Sequence, residues 1–203
     1  MGSTDYISPR QAGTLDGLLR ERVRRTPDHL AYRSCDRATG QWQGWTWAET
    51  AREVARWQRA LAAEGLAPGE RVAVLLRNCP QWVWFEQAAL GLGLVVVPLY
   101  LEDRPDNTAY IVQDAGARVL LVQEERYGRL CAALEAVPGL QRIVVAGDGA
   151  GLGCGPRAVP LSAWLPPGEH ALAARQGSAD DLATIVYTSG TTGRPKGATL
   201  TQN

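Results

Sequence analysis

Arg71-Val-Ala-Val-Leu-Leu76 is a short, continuous apolar run, and Leu94-Val-Val-Val97, Arg118-Val-Leu-Leu-Val122 and Arg142-Ile-Val-Val145 repeat its character along the chain. Runs this short, unbroken by polar alternation and rich in valine, predict strands buried on both faces. Helical stretches with their usual punctuation lie between them. Pro80 suits the first turn of a helix running to about Gly93, and Pro105 to Ala115 is a second helix closed by Gly116. Glu124–Val137 is a third. Strands alternating with helices of about 10–15 residues imply parallel βαβ units whose helices cover the sheet. The expected fold class is therefore α/β, with a parallel-rich sheet or sheets and flanking helices.

The pattern extends to both sides. Thr46-Trp-Ala-Glu49 is a capping box, and the helix it opens carries Val54, Trp57 and Leu61 on one face. Gly65 fits the position just past its end. Trp42, Trp45 and Trp47 sit in a strand-like stretch and are expected on one sheet face, as core filling. Trp82 and Trp84 should combine packing with partial exposure. Arg20, Arg22, Arg24 and Arg25 read as the solvated face of a helix whose buried side is Leu15, Leu18, Leu19 and Val23. Gly147–Gly168, rich in glycine and proline, reads as a flexible excursion. It divides the chain into an N-terminal α/β block (1–146), the excursion (147–168) and a C-terminal segment (169–203).

That last segment carries the chemistry. Asp181-Leu-Ala-Thr-Ile-Val-Tyr187 predicts a buried strand, and Gly197-Ala-Thr-Leu-Thr201 a short returning one. Between them, Thr188, Ser189, Gly190, Thr191, Thr192 and Gly193 supply four hydroxyls and two glycines. Such a loop can aim backbone N–H groups at an anion, and its glycines let the backbone approach closely. Lys196 follows. The chain has 21 basic residues, and Lys196 is its single lysine. Arginine serves at every other basic position, so the exception falls where a compact ammonium would meet a phosphate oxygen as a point charge. The loop is not a Walker A motif, because Pro195 precedes the lysine and Gly197 follows it. No G-x-G-x-x-G occurs either, so a dinucleotide-binding Rossmann reading has no support.

Tyr187-Thr-Ser-Gly-Thr-Thr-Gly-Arg-Pro-Lys-Gly197 resembles, at every fixed position, the phosphate-binding motif of the adenylate-forming superfamily. That superfamily includes acyl-CoA synthetases, luciferases and the adenylation domains of peptide synthetases. Weaker likenesses agree with it in order and spacing: Thr26-Pro-Asp-His-Leu-Ala31, Trp45-Thr-Trp-Ala-Glu-Thr50 and Gly65-Leu-Ala-Pro-Gly-Glu-Arg-Val-Ala-Val74. Arg77-Asn-Cys-Pro-Gln-Trp82 and Val97-Pro-Leu-Tyr100 look most like the bacterial long-chain fatty-acid–CoA ligases. Gln202 departs from the pattern, since the family often has histidine there.

The resemblance implies the N-terminal part of the family's large domain and a two-step parent reaction. A fatty acid and ATP would give an acyl-adenylate and pyrophosphate, and coenzyme A would then displace AMP. Lys196 is the implied catalytic residue, with Tyr187, Thr188, Ser189, Gly190, Thr191, Thr192, Gly193, Lys196 and Gly197 around the nucleotide. Thr188 is the implied magnesium contact, and ATP, Mg2+ and coenzyme A are the implied cofactors and co-substrates. Arg194 lies at a variable position and is given no role. The groups that hold ribose and magnesium would lie further on, so the chain is expected to be an N-terminal fragment, inactive alone. Two alternatives stay open: an adenylating ligase with a carrier-protein acceptor, and a truncated non-catalytic homologue. A sheet cut short would expose an edge, so self-association is expected.

Composition sets the outer limits. Hydrophobic content of 45% is globular, and a formal net charge of zero gives no reason to expect a nucleic-acid partner. No run approaches the ~18 apolar residues of a membrane span, and the N-terminus has no signal-like segment. A cytoplasmic protein acting on small molecules is the expectation. Cys35, Cys79, Cys131 and Cys154 are far apart without a C-x-x-C, and read as separate thiols.

Overall fold

A computed structural model describes residues 5–36, 39–147, 155–188 and 194–202. In chain order the elements are α1 (Pro9–Ala12), α2 (Leu15–Arg25), β1 (Leu30–Cys35), β2 (Trp42–Thr46), α3 (Trp47–Ala63) and β3 (Arg71–Leu75). They continue with α4 (Pro80–Gly91), β4 (Val95–Pro98), α5 (Pro105–Asp114), β5 (Ala117–Gln123), α6 (Glu124–Glu135) and β6 (Arg142–Ala146). The last are β7 (Ala158–Pro160), α7 (Leu161–Trp164), β8 (Leu182–Thr188) and β9 (Lys196–Thr201). β1 and β2 form a small antiparallel ribbon. The other strands form one sheet in the order β7-β6-β5-β3-β4-β8-β9, parallel throughout except for the antiparallel β8–β9 hairpin.

The apolar runs are unbroken because both faces of this sheet are covered. Val72, Val74, Val96, Val119, Leu121 and Val144 pack with α2, α3 and α4. Their neighbours Ala73, Leu75, Val97, Leu120, Val122 and Val145 face α5 and α6. A residue-by-residue alternation thus places one apolar layer on each side. The sheet also joins all three segments set out from the sequence, because β7 lies beside β6 and β8 beside β4. Its single register pair is Val96 with Thr184, reinforced by the Thr184 hydroxyl donating to the Val96 carbonyl at 2.7 Å. Upstream of β8, the buried Gln58 amide pairs with the backbone of Ala173 in both directions, at 3.2 and 2.8 Å.

Local signals hold where they are local. The Thr46 hydroxyl accepts from the Glu49 amide, and the Glu49 carboxylate accepts from the Thr46 amide at 2.7 Å. The caps at Pro80 and Pro105 are also as read, with Gly65 and Gly116 at positive φ beyond their helices. Thr46→Ala should remove the box and cost about 1 kcal/mol, a drop of about 2–4 °C in the thermal midpoint. Differential scanning calorimetry measures it, and an unchanged midpoint would show the cap to be redundant.

Several expectations change. Trp47 is the first residue of α3 and packs edge-on against Tyr32, while Trp45 meets Trp84 and Trp42 is exposed under Arg33. The three indoles do not share a face, because the capping box turns the chain into a helix at Thr46. Within 147–168, Ala158–Pro160 adds a parallel edge strand, and the Trp164 indole donates to Glu64 at 2.8 Å while packing on Trp57. The arginines of α2 are paired with Asp5, Asp16 and Glu21. Leu15 and Leu18 are exposed rather than buried. Cys131 is disulfide-bonded, against the reading of separate thiols; Cys35 and Cys79 are free, and Cys154 lies outside the described residues. No helix among the described residues is long and apolar enough to cross a membrane.

Candidate functional site: the mouth of the β8–β9 hairpin

β8 and β9 hold the ends of the candidate phosphate loop in register. Ser189, Gly190, Thr191, Thr192 and Gly193 lie outside the described residues. The residues that bracket them are ordered by the ladder: Thr188 pairs directly with Lys196, and Tyr187 with Gly197. Directly opposed residues project to the same side of an antiparallel pair, with Cβ atoms about 5 Å apart. Thr188 and Lys196 therefore project from the same side of the hairpin mouth, both exposed. A cation and a hydroxyl on one side at the end of a strand suit an anionic oxygen.

The next pair along faces the other way, into the protein. Tyr187 is buried at 3% exposure, and its hydroxyl donates to the Asp114 carboxylate at 2.6 Å. Burial first, and then that carboxylate, push the Tyr187 phenol well above its ordinary range. Gly197 makes room for the ring: a Cβ there would sit 2.8 Å from Ile185 Cγ2 and 3.0 Å from the ring of Tyr187. Both residues, read from the motif as nucleotide-binding, are placed as the packed base of the hairpin.

Two further contacts were not legible in the sequence. The Arg194 guanidinium lies over the Tyr110 ring, 5.2 Å from its centroid. Tyr110 also donates to Asp114 at 3.4 Å. So α5 grips the hairpin on both stems, through Asp114 on Tyr187 and through Tyr110 on Arg194. The i,i+4 spacing of Tyr110 and Asp114 was visible in the sequence; their partners, more than 70 residues away, were not.

A cavity of about 410 Å³ opens beside the mouth, lined by Tyr100, Asp103, Asn107, Ile111, Tyr187, Thr188 and Pro195. Burial holds the Asp103 carboxyl above the usual carboxylate range. Thr188 has one side-chain oxygen, whereas a magnesium ion takes six ligands, and no cluster of three or more acidic, histidine or cysteine side chains occurs among the described residues. Any magnesium here would draw most of its ligands from phosphates and water. Gln202 is nearly buried and its Oε1 accepts from the Leu15 amide at 3.1 Å, which ties the end of β9 to the start of α2.

The AMP-binding enzyme family matches residues 19–203. The chain belongs to this family. As an AMP-binding enzyme chain it is 31% identical, over 185 residues, to the long-chain-fatty-acid–CoA ligase FadD15 of Mycobacterium tuberculosis. That match covers 90% of this chain and 30% of FadD15. It is 29% identical over 184 residues to gramicidin S synthase 2 of Brevibacillus brevis, covering 91% of this chain and 4% of that protein. Among solved structures, the anthranilate CoA ligase AuaEII in complex with anthranoyl-AMP superimposes with a TM-score of 0.83 at 25% identity, over 100% of this chain and 36% of its own. The N-terminal domain of FACL13 from Mycobacterium tuberculosis, bound to an inhibitor, gives 0.76 at 27% identity, over 94% of this chain and 44% of its own. This AMP-binding chain thus spans 21–30% of the length of the long-chain ligases it matches, and its sheet and helices are those of the N-terminal part of the large domain.

Proposed function

We propose that the chain is the N-terminal part of an ATP-dependent acyl-CoA synthetase acting on fatty acids. The observation that carries this is the pairing of Thr188 with Lys196 across the hairpin mouth, at the two ends of the loop Ser189–Gly193. In this reading Lys196 and the loop's N–H groups and hydroxyls hold the β- and γ-phosphates of ATP. The substrate carboxylate attacks the α-phosphate, and the bond to the pyrophosphate breaks. Charge grows on the departing pyrophosphate, and fixed donors aimed at it lower the barrier. Thr188 contributes one oxygen to the magnesium ion. The coenzyme A thiol then attacks the acyl carbon, and AMP leaves.

The likeness to FadD15 supports a long-chain fatty acid as the substrate and coenzyme A as the acceptor. The likeness to gramicidin S synthase 2 keeps a second reading, in which the acceptor is the phosphopantetheine of a carrier protein. The cytoplasmic setting expected from the sequence is one where thiols are kept reduced, and the Cys131 disulfide speaks against it.

The test supplies the protein that carries this chain with ATP, magnesium and palmitate. Pyrophosphate release should depend on palmitate, and palmitoyl-CoA should form when coenzyme A is added. Absence of palmitate-dependent release would sink the fatty-acid reading. Transfer only to a phosphopantetheinylated carrier would select the second acceptor. The 203 residues alone, 21–30% of the matched long-chain ligases' length, should release none above background.

The chain is also proposed to self-associate through β9. This strand ends the sheet, all six of its residues are exposed, and Leu200 is 52% exposed. An open edge with apolar side chains invites pairing. Light scattering should show mass rising with concentration, and Leu200→Lys should lower it. A concentration-independent monomer would refute this.

A further inference from the structure

The candidate loop occupies one end of the sheet's carboxyl edge. A second, larger crevice lies at the other place where an α/β sheet opens naturally. Five of the parallel strands run β4-β3-β5-β6-β7, which in chain order is 2-1-3-4-5, with β8 added beside β4. The connection leaving β3 passes through α4 on one face, and the connection leaving β5 passes through α6 on the other. Neighbouring connections that part to opposite faces leave a gap beyond the strand ends, the usual place for a ligand in this architecture.

Such a gap is present, with a volume of about 670 Å³. It lies beyond Leu75 of β3, at Gln123 of β5 and at Ala146 of β6, with α7 as its far wall. The size falls within the range of small-molecule sites.

Its lining is chemically one-sided. Arg56 and Arg77 face it, and none of the lining residues is acidic, in a chain whose charges otherwise balance. Arg56 is held by its Nε donating to the Pro166 carbonyl at 2.8 Å, and among the described residues no ion pair occupies its terminal nitrogens. Arg77 is exposed and forms no ion pair or hydrogen bond among the described residues. Glu124, which lies against Gly147 at the rim, is already engaged. α4, 12 residues long, begins here with Pro80 and without a side-chain cap, so its positive end adds to the two guanidiniums. Gln123 Oε1 is buried and without a hydrogen-bond partner, an acceptor that a hydroxyl would satisfy. Leu161 and Leu165 supply an apolar wall.

We propose that this crevice is a second anion site, separate from the hairpin mouth, and that it takes a small phosphorylated, hydroxyl-bearing metabolite of the sugar-phosphate class. Arg56, Arg77 and the start of α4 would hold the phosphate dianion, Gln123 would accept from a hydroxyl, and the leucines would cover the ring. The site stands whether or not the hairpin binds ATP.

Ribose 5-phosphate is the probe, titrated calorimetrically into the 203-residue chain carrying Lys196→Ala, which disables the hairpin as a phosphate site. Saturable binding is expected, with unphosphorylated ribose at least about tenfold weaker. Adding Arg77→Ala should weaken the sugar phosphate by about tenfold or more, the usual effect of losing one charge-assisted contact. Arg56→Gln serves as the second variant, and circular dichroism confirms that each remains folded. Two results would overturn the proposal: no saturable binding to the Lys196→Ala chain, or affinity unchanged by both arginine substitutions.

Discussion

Lys196→Arg is expected to slow pyrophosphate release by about 100-fold in the adenylating protein, the scale of losing one well-aimed donor to developing charge. Its thermal midpoint should hardly move. Lys196 is exposed as the first residue of β9 and opposes Thr188, so nothing in the core depends on it. Positive charge alone is kept by the substitution. What changes is shape: a planar, forked guanidinium replaces a compact ammonium among closely spaced N–H donors. The 20 arginines elsewhere in the chain make the comparison sharp, because arginine serves every basic position but this one. Stopped-flow pyrophosphate release and calorimetry should be run side by side on wild type and variant. An unchanged rate would make the lysine an accident of composition. A large loss of stability would make it structural.

The fold was readable wherever a rule acts over one turn or one strand. The Thr46–Glu49 box, the prolines opening α4 and α5 and the glycines beyond α3 and α5 are decided by neighbouring backbone groups. The same sequence misled where tertiary position decides. Asp181–Tyr187 reads as a buried strand, yet within it only Ala183 and Tyr187 are buried. β8 touches chiefly β4 and β9, near the end of the sheet, and meets α5 through Tyr187. Ala158–Pro160 sits in Gly/Pro-rich sequence but pairs with β6, because an edge strand tolerates a proline that a central one would not. Leu15 and Leu18 fit an amphipathic helix and remain exposed, because α2 packs through Leu19 instead.

The candidate site divides along the same line. The loop is nominated by sequence alone, since six small polar residues and a lone lysine suggest a phosphate-binding chemistry without any structure. Its mounting is not. Gln202 stands where a histidine would be expected, and only the fold shows it bonded to the start of α2. Nothing local in Arg194 announces the Tyr110 ring, and nothing in Asp114 announces Tyr187.

That mounting gives the second large effect. Tyr187→Ala should cost about 3–5 kcal/mol, the usual loss for truncating a large buried aromatic residue, and should raise the KM for ATP in the adenylating protein by loosening the stem of β8. Tyr187→Phe isolates the hydroxyl. Asp114 is exposed and water can replace the lost donor, so the cost at neutral pH should be no more than about 1 kcal/mol. The pH dependence then reports on the buried hydroxyl itself, apart from the packing of the ring that Tyr187→Phe retains. Burial and the Asp114 carboxylate favour the neutral phenol, so the folded pKa lies above the unfolded value of about 10. The stabilisation is therefore fully present below pH ~10 and is lost as pH rises toward the folded value. Tyr32 and Tyr127 are also raised by burial, but they titrate alike in both proteins and cancel in the difference. Urea unfolding of wild type and Tyr187→Phe at pH 8 and at pH 11 should thus show wild type losing more stability than the variant over that interval. Equal losses would mean that Tyr187 does not resist ionisation in the folded protein, and that its hydroxyl is not what holds the hairpin to α5.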